Sequence, residues 1–235
     1  MNILVTGGCG YKGHVLIPKL LDKGHNVTVI DTMWFGNFLV PNKNLKTIKA
    51  DLRDTKAYST ENVDTVIHLA SVANDPCADL DPILTWEVST LATLELLIKC
   101  KRAKVKQFIY ASSGSVYGVK TEPNVTEDLD LVPISAYNKT KMVAERLVLS
   151  YADTLNVQIV RPATVCGLSP RMRLDVAVNL LTAQAFKNSV MTVLGGSQVR
   201  PNIHIEDITD LYLFFVENPD LTGVFNAGFE NISIL

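Results

Sequence analysis

Short runs of β-branched and apolar residues alternate along this chain with longer amphipathic stretches. Residues 3–6 read as a strand. Glycines follow, then a helical pattern to Lys23 with Pro18 in its middle, which predicts a kink or a late first turn. Gly24 stands where a helix C-cap is expected. Further strands are predicted at 26–30, 45–49, 65–68, 107–111 and 157–160, with helical patterns between most of them, notably at 83–103 and 136–155. Alternation of this kind implies right-handed crossovers and a parallel sheet covered on both faces. The expected fold class is therefore α/β with a doubly wound sheet.

After Arg161 the rhythm changes. Residues 163–174 read as loop, 175–187 as helix and 191–194 as a short strand. A Gly195-Gly196 turn, a strand-like run at 202–205, a helix from Asp207 to about residue 218 and a last strand at 223–227 follow. Residues 232–235 read as the start of another helix, so the sequence is expected to be incomplete at its C-terminus. No internal repeat or low-complexity linker breaks the chain.

Composition narrows the function classes. Lys and Arg number 22 against 24 Asp and Glu, so no global field favours nucleic acid or an anionic membrane. With 47% hydrophobic and 20% charged residues there is ample material for a core. No run approaches the roughly 18 apolar residues of a membrane span. Met-Asn-Ile-Leu-Val-Thr leads straight into a strand with no basic segment, which argues against a secretory signal. Cys9, Cys77, Cys100 and Cys166 are scattered, without a CxxC or a His-Cys cluster. Neither a metal site nor a disulfide framework is expected, and a cytoplasmic location is the default.

The first chemical signal is the loop Thr6-Gly7-Gly8-Cys9-Gly10-Tyr11-Lys12-Gly13, placed directly after the first strand and opening the first helix. Gly7, Gly10 and Gly13 suit a tight turn, close backbone approach to a pyrophosphate and close helix–strand packing. The helix N-terminus then offers free N–H groups to phosphate. Asp31 ends the second strand, 18 positions after Gly13. A carboxylate there accepts from an adenosine ribose and repels a 2′-phosphate, which favours NAD over NADP. Asp51-Leu52 after the third strand and Leu69-Ala70 after the fourth fit the same bound dinucleotide, although Asp51 taken alone reads as a cap or surface acid.

The second signal is Tyr137 and Lys141, at i and i+4 on one helix face. An ammonium beside a phenol lowers its pKa and makes it a usable acid/base; the bland reading is a half-buried Tyr beside a solvated Lys. The run Tyr110-Ala111-Ser112-Ser113-Gly114-Ser115-Val116-Tyr117 puts hydroxyls at the end of the fifth strand. There a serine orients a substrate oxygen or serves as a turn cap.

Taken in order, Thr-Gly-x2-Gly-x2-Gly, Asp31, Asp51-Leu52, His68-Leu69-Ala70, Ser-Ser-x-Ser-Val-Tyr-Gly, Tyr-x3-Lys and Arg161-Pro162 resemble the extended short-chain dehydrogenase/reductase family, in its nucleotide-sugar epimerase/dehydratase branch and in the style of UDP-glucose 4-epimerases. The resemblance implies a Rossmann-type fold. Residues 1–162 would form an NAD-binding domain carrying the catalytic groups. Residues 163–235 would form a smaller, truncated substrate-binding region interleaved with the sheet. It implies Ser113, Tyr137 and Lys141 as the catalytic set, Tyr11 with the glycines at the cofactor, and Asn179 and Arg200 at the diphosphate of a nucleotide-sugar. From the residues alone, Asn179 is equally an exposed helix residue and Arg200 a loop cation. A homodimer through the helices at 83–103 and 136–155 is also implied.

Three departures stand out. Lys12 replaces an apolar residue and either adds charge near the pyrophosphate or points to solvent. Ser89 stands where relatives carry an Asn. Gly114-Ser115 replaces the Asp-Glu pair of 4,6-dehydratases, so a dehydratase is disfavoured. Arg171 and Arg173 form a basic loop, open to a phosphate or acidic sugar or simply solvated. The expected activity is NAD-dependent epimerisation of a nucleotide-activated sugar, against a net ketoreductase/dehydrogenase and a non-catalytic NAD-binding scaffold.

Overall fold

Seven parallel strands form the main sheet of the computed structural model, which describes residues 1–235. In chain order the elements of the first half are β1 (Asn2–Thr6), α1 (Gly13–Asp22), β2 (Asn26–Asp31), β3 (Leu45–Lys49), β4 (Thr65–His68), α2 (Asp75–Leu80), α3 (Pro82–Trp86), a π-helical turn (Glu87–Leu91), α4 (Ala92–Ala103) and β5 (Gln107–Ala111). A 3₁₀ turn (Gly114–Tyr117), α5 (Ala136–Leu149), β6 (Asn156–Pro162), β7 (Thr164–Cys166), α6 (Ala177–Asn188), β8 (Val199–His204), α7 (Ile205–Glu217), β9 (Gly223–Ala227) and β10 (Glu230–Ser233) follow. The sheet order is β3-β2-β1-β4-β5-β6-β9, and β10-β8-β7 form a separate small sheet. Order reverses between β1 and β4, so a crevice opens at their carboxyl ends, where doubly wound sheets place ligands.

Burial explains why these residues make these strands. Every residue of β4 (Thr65, Val66, Ile67, His68) and of β5 is buried, as a central parallel strand covered on both faces requires. Edge strand β3 is instead mostly exposed. On one face α1 and α7 supply Leu16, Ile17, Leu20, Ile208, Tyr212 and Phe215 to one core cluster; on the other α4 and α5 supply Leu96, Leu97, Ala144 and Val148 to a second. Each fully buried side chain of this size contributes about 1.5–3 kcal/mol.

Several boundaries differ from the sequence pattern. Helix α1 starts at Gly13 and continues past Pro18 to Asp22, and Gly24 (φ +80°) takes the left-handed position beyond it. The predicted helix at 83–103 is three segments, because a π turn intervenes at Glu87–Leu91. Helix α5 stops at Leu149, where the Ser150 hydroxyl donates back to the Leu147 carbonyl and turns follow. Residues 191–194 form no strand: the apolar run lies largely exposed with no ladder to join. The stretch expected as loop at 163–174 contains β7, which pairs with β8. The end of the chain is not a helix start but strand β10, laid antiparallel on β8 with Ile232 opposite Arg200. Beyond Pro162, β9 pairs with β6 and α7 packs on α1.

Two buried polar devices fix the site's framework. His68, fully buried at the end of β4, meets Thr6 Oγ1 through Nδ1 (2.6 Å) and Thr93 Oγ1 through Nε2 (2.8 Å). Thr93 spends its own proton on the Ser89 carbonyl (2.9 Å), so it accepts from Nε2–H, and Thr6 donates to Nδ1. The imidazole is therefore neutral, and burial with the nearby Lys141 holds its pKa down to about 3. The second device is Glu145 of α5, 1% exposed, paired with Arg161 of β6 (Nη2–Oε2 2.7 Å; Nε–Oε1 3.0 Å) and accepting the Ser112 hydroxyl. Arg161 also donates to Tyr117 Oη (2.7 Å), which donates to Asn226 of β9 (2.8 Å).

Two outcomes follow from these devices. Arg161→Met strands the Glu145 carboxylate and lowers stability by about 3–5 kcal/mol, while the Glu145→Met/Arg161→Met pair loses far less, as read by denaturant titration. Because the folded pKa of His68 lies below its unfolded value of 6.5, the unfolded chain binds the extra proton between about pH 6.5 and 3. Stability therefore falls as pH drops through that window, by at most about 4–5 kcal/mol from this group. Melting scans of His68→Gln show a shallower acid slope than those of the unaltered chain.

Candidate active site

The glycine loop is the tightest part of the fold. A Cβ on Gly7 (φ +71°) would stand 2.6 Å from the Ala70 nitrogen, and one on Gly13 would stand 2.1 Å from the Gly8 carbonyl oxygen. Gly8, outside the sequence-predicted set, is equally constrained: its Cβ would meet Val29 at 2.7 Å. Gly10 meets only the Gly7 oxygen (3.1 Å), so it leaves the surface above the helix bare. The N–H groups of Tyr11, Lys12 and Gly13 make no hydrogen bond within the chain, and α1 has no side-chain cap. Three free donors on a bare helix N-terminus fit a pyrophosphate. Asp31 stands beside them, its carboxylate accepting from Cys9 N–H (3.0 Å) and Met33 N–H (2.7 Å). Each oxygen retains a lone pair for a ribose hydroxyl.

Leu69 and Ala70 lie against Gly7, and Ala70 N–H donates to Thr6 Oγ1 (3.3 Å). Leu52 is buried in the core. Asp51 accepts from Arg53 N–H (2.9 Å) and pairs with its guanidinium (2.8 Å), which holds its carboxyl below the usual range; Arg53 reaches on to Glu87 (2.5 Å). Asp51 thus fills the turn-and-ion-pair role, beside any contact with a nucleotide base.

Ser113, Tyr137 and Lys141 converge at the carboxyl edge of β5. Lys141, 3% exposed, donates to the Ala111 carbonyl (2.8 Å), with its Nζ 5.1 Å from the Tyr110 ring centroid and 5.9 Å from that of Tyr137. Burial and the charge of Lys12 push its pKa down to about 7. Burial raises the Tyr137 phenol; Arg173 and the Ser113 hydroxyl beside it pull the other way. Among the charged groups, Arg173 is the one that favours the phenolate of Tyr137. Sequence reasoning left Arg173 undecided; the neighbouring Asp175, which it grips at 2.5 Å, is the feature that holds it inward. Asn74 (φ +83°) donates to the same Asp175 (2.6 Å), and the adjacent Asp75 accepts from Ser135, the N-cap of α5.

Ser113 N-caps the 3₁₀ turn and also faces a second hydroxyl: its Oγ lies 2.7 Å from Ser115 Oγ, which bonds the Asn138 side chain. Both readings of Ser113, cap and active-site hydroxyl, are compatible in one geometry. Ser115 and Asn138 were missed by sequence reasoning, although Ser115 lies in the same run and Asn138 follows Tyr137. Ser89, in the π turn, lies with its Oγ 3.2 Å from that of Ser71, beyond the end of β4.

The segment after β7 is fastened to the glycine loop through Tyr11. Its phenol donates to the Gly167 carbonyl (2.6 Å), and Ser169 donates to the Tyr11 carbonyl (2.8 Å). Asn179, 5% exposed, donates to Tyr11 Oη (3.1 Å) and to the Arg173 carbonyl (2.9 Å), while its Oδ1 accepts from Gly167 N–H (2.9 Å). The amide is committed to holding this segment. Arg200 is not brought to it: it lies exposed on β8, without an ion pair. An open cleft of about 580 Å³ lies between Phe35, Phe38 and residues 170–175, where Arg171 stacks 3.8 Å over the Phe35 ring.

Residues 3–228 match the family model described as the NAD dependent epimerase/dehydratase family. Among curated proteins, a UDP-glucose 4-epimerase of Lactobacillus helveticus is 27% identical, over 100% of this chain and 80% of that protein. A probable UDP-arabinose 4-epimerase of Arabidopsis thaliana is 30% identical, over 97% of this chain but only 64% of its own length. Among solved structures, the UDP-glucuronic acid 4-epimerase of Bacillus cereus in complex with UDP-glucuronic acid and NAD superposes with a TM-score of 0.88 at 32% identity, covering 100% of this chain and 80% of that one. TunA, an NAD-dependent NDP-hexosamine 5,6-dehydratase, superposes with a TM-score of 0.89 at 27% identity, covering 99% and 77%. No helix of the structure is long and apolar enough to cross a membrane. With a glycine cradle at the switch point, a serine, tyrosine and lysine beside it and these matches along nearly its whole length, the chain belongs to the NAD dependent epimerase/dehydratase family.

Proposed function

We propose that this chain epimerises a sugar carried on a nucleoside diphosphate, through a transient keto-sugar. The observation that carries the reading is the meeting of Ser113, Tyr137 and Lys141 beside a bare helix N-terminus and Asp31. A bound NAD would supply the hydride acceptor and donor at one ring carbon of the sugar. Tyr137, as phenolate, takes the proton from the sugar hydroxyl and later gives it back. Ser113 holds the oxygen that becomes the carbonyl, and the Ser115–Asn138 link fixes where that hydroxyl points. Anionic ligands restore charge to Lys141, whose protonated form then favours the phenolate. Arg173 stabilises it from the other side.

The diphosphate of the substrate is assigned to cations of the later segment. Arg200 is exposed and uncommitted on β8, and the guanidinium fork suits phosphate oxygens. Asn179 acts at one remove, by positioning Tyr11 and Arg173. Gly114 and Ser115 leave no carboxylate next to Ser113 to expel water from the sugar, which favours epimerisation over 4,6-dehydration.

A panel of UDP-, GDP-, CDP- and dTDP-sugars followed by NMR is expected to yield an inverted product from one member, with NAD needed only in catalytic amount. Stoichiometric consumption of free NAD(H) would assign a net dehydrogenase or reductase instead. Tyr137→Phe is expected to lower turnover about 10²–10⁴-fold while the fold persists by circular dichroism. Turnover near the unaltered rate would remove Tyr137 from the mechanism.

A further inference from the structure

Lys12 sits in the glycine loop between Gly10 and Gly13. A lysine on a surface loop normally carries its ammonium out to water. Here the residue is only partly exposed, and its ammonium finds a partner in the core. Nζ donates to Tyr212 Oη at 3.3 Å and lies 5.5 Å from the centroid of that ring, and Tyr212 is fully buried on α7. No carboxylate pairs with it. Its charged neighbours are cations. Arg173 and burial bring its pKa down to about 8, and Lys12 in turn is the charge that, after burial, most lowers Lys141. Tyr212, its hydrogen-bond partner, lies in one core cluster with Ala111, and Lys141 donates to the Ala111 carbonyl. The ammonium is thus joined, through Tyr212, to the end of β5 where the groups assigned to proton and hydride transfer meet.

A cation held against a buried ring without a carboxylate partner, beside two others, is costly to keep. Two kinds of ligand give it a use, and they differ in one respect. A pyrophosphate carries the same charge whether its nicotinamide is oxidised or reduced. The nicotinamide ring does not: it is +1 when oxidised and neutral when reduced. When a sugar alcohol is oxidised in such a site, its C–H bond breaks with the hydrogen and both electrons going to the ring. Its O–H proton goes to the Tyr137 oxygen, and a C=O bond forms. A fixed ammonium that faces the reacting end opposes the ring's positive charge before that step and has no such opposition after it.

We propose that Lys12 is a second ammonium of the hydride-transfer site, and that it raises the reduction potential of the bound nicotinamide by disfavouring the oxidised ring. The hydrogen bond of the head to Tyr212, which shares a core cluster with Ala111, the residue whose carbonyl takes Lys141, is what selects the ring over the pyrophosphate. The proposal rests on the assignment of Tyr137 and Lys141 to the reacting end, and it deepens that reading by naming a residue that sets how far oxidation of the sugar proceeds.

The test measures nucleotide binding alone, with no sugar present. Dissociation constants for NAD+ (calorimetry) and NADH (fluorescence) are determined for the chain freed of nucleotide and for Lys12→Met and Lys12→Arg. Lys12→Met is expected to lower the ratio Kd(NAD+)/Kd(NADH) about tenfold, which for a two-electron couple is a potential lower by about 30 mV. Lys12→Arg, which keeps the charge, is expected to stay within about twofold of the unaltered ratio. Equal weakening of both nucleotides in Lys12→Met would place the ammonium on the pyrophosphate and overturn the proposal. An unchanged ratio would overturn it as well, as would a shift in Lys12→Arg as large as that in Lys12→Met. Lys12→Gln, neutral and polar, gives the same comparison if the methionine variant does not fold. Failure here leaves the sugar-turnover result for Tyr137→Phe untouched, so the two readings fall separately.

Discussion

Close backbone packing at the carboxyl ends of β1 and β4 is the constraint on which the site depends. Gly7 lies against the Ala70 nitrogen and Gly13 against the Gly8 carbonyl, at separations that no Cβ can enter. That contact presses the start of α1 onto the sheet exactly where strand order reverses, and leaves its first N–H groups without partners. The remaining parts of the site are located relative to this point. His68 joins β1 to α4 just beneath it, and Tyr11 fastens the segment after β7 above it.

Buried charge is handled in two contrasting ways. Away from the reacting groups every buried ion is satisfied: Glu145 has Arg161, and Arg161 has Tyr117 as well. This network ties α5, which carries Tyr137 and Lys141, to β6 and β9. Around Tyr137 the balance is one-sided: Lys12, Lys141 and Arg173 gather there, Asp175 pairs with Arg173, and the nearby Glu145 is committed to Arg161. A structural network would not be left with such an excess of positive charge. The proposed function, in which diphosphates bind and Tyr137 acts as a phenolate, gives it a use.

Most of the scaffold was legible because its signals are local. A fully buried strand such as 107–111 announces itself by the apolar run from Phe108 to Ala111, and the glycine loop by its spacing after a strand. The misread strands have a common cause, since each depends on a partner distant in sequence. Residues 191–194 have strand-forming side chains but no ladder, whereas Glu230–Ser233 form a strand because β8 supplies one. The π turn at Glu87–Leu91 has no simple periodic mark. In the candidate site, Tyr137 and Lys141 were singled out by spacing and Ser113 by the resemblance, while Arg173, Ser115 and Asn138 were given no role. Their roles come from contacts with Asp175, Ser113 and one another rather than from any motif. Asn179 illustrates the reverse case: a residue type suited to a diphosphate whose amide is spent on Tyr11, Arg173 and Gly167.

The most direct measurement of hydride transfer within this site follows an isotope. A nucleotide-sugar carrying deuterium on the inverted carbon, turned over in ordinary water, should give an epimer that keeps the label on that carbon, with none in the solvent and none in free nucleotide. Loss of deuterium to water would show that the carbon is inverted by proton removal instead, and would contradict the assignment of Ser113, Tyr137 and Lys141 to a cycle of oxidation and return.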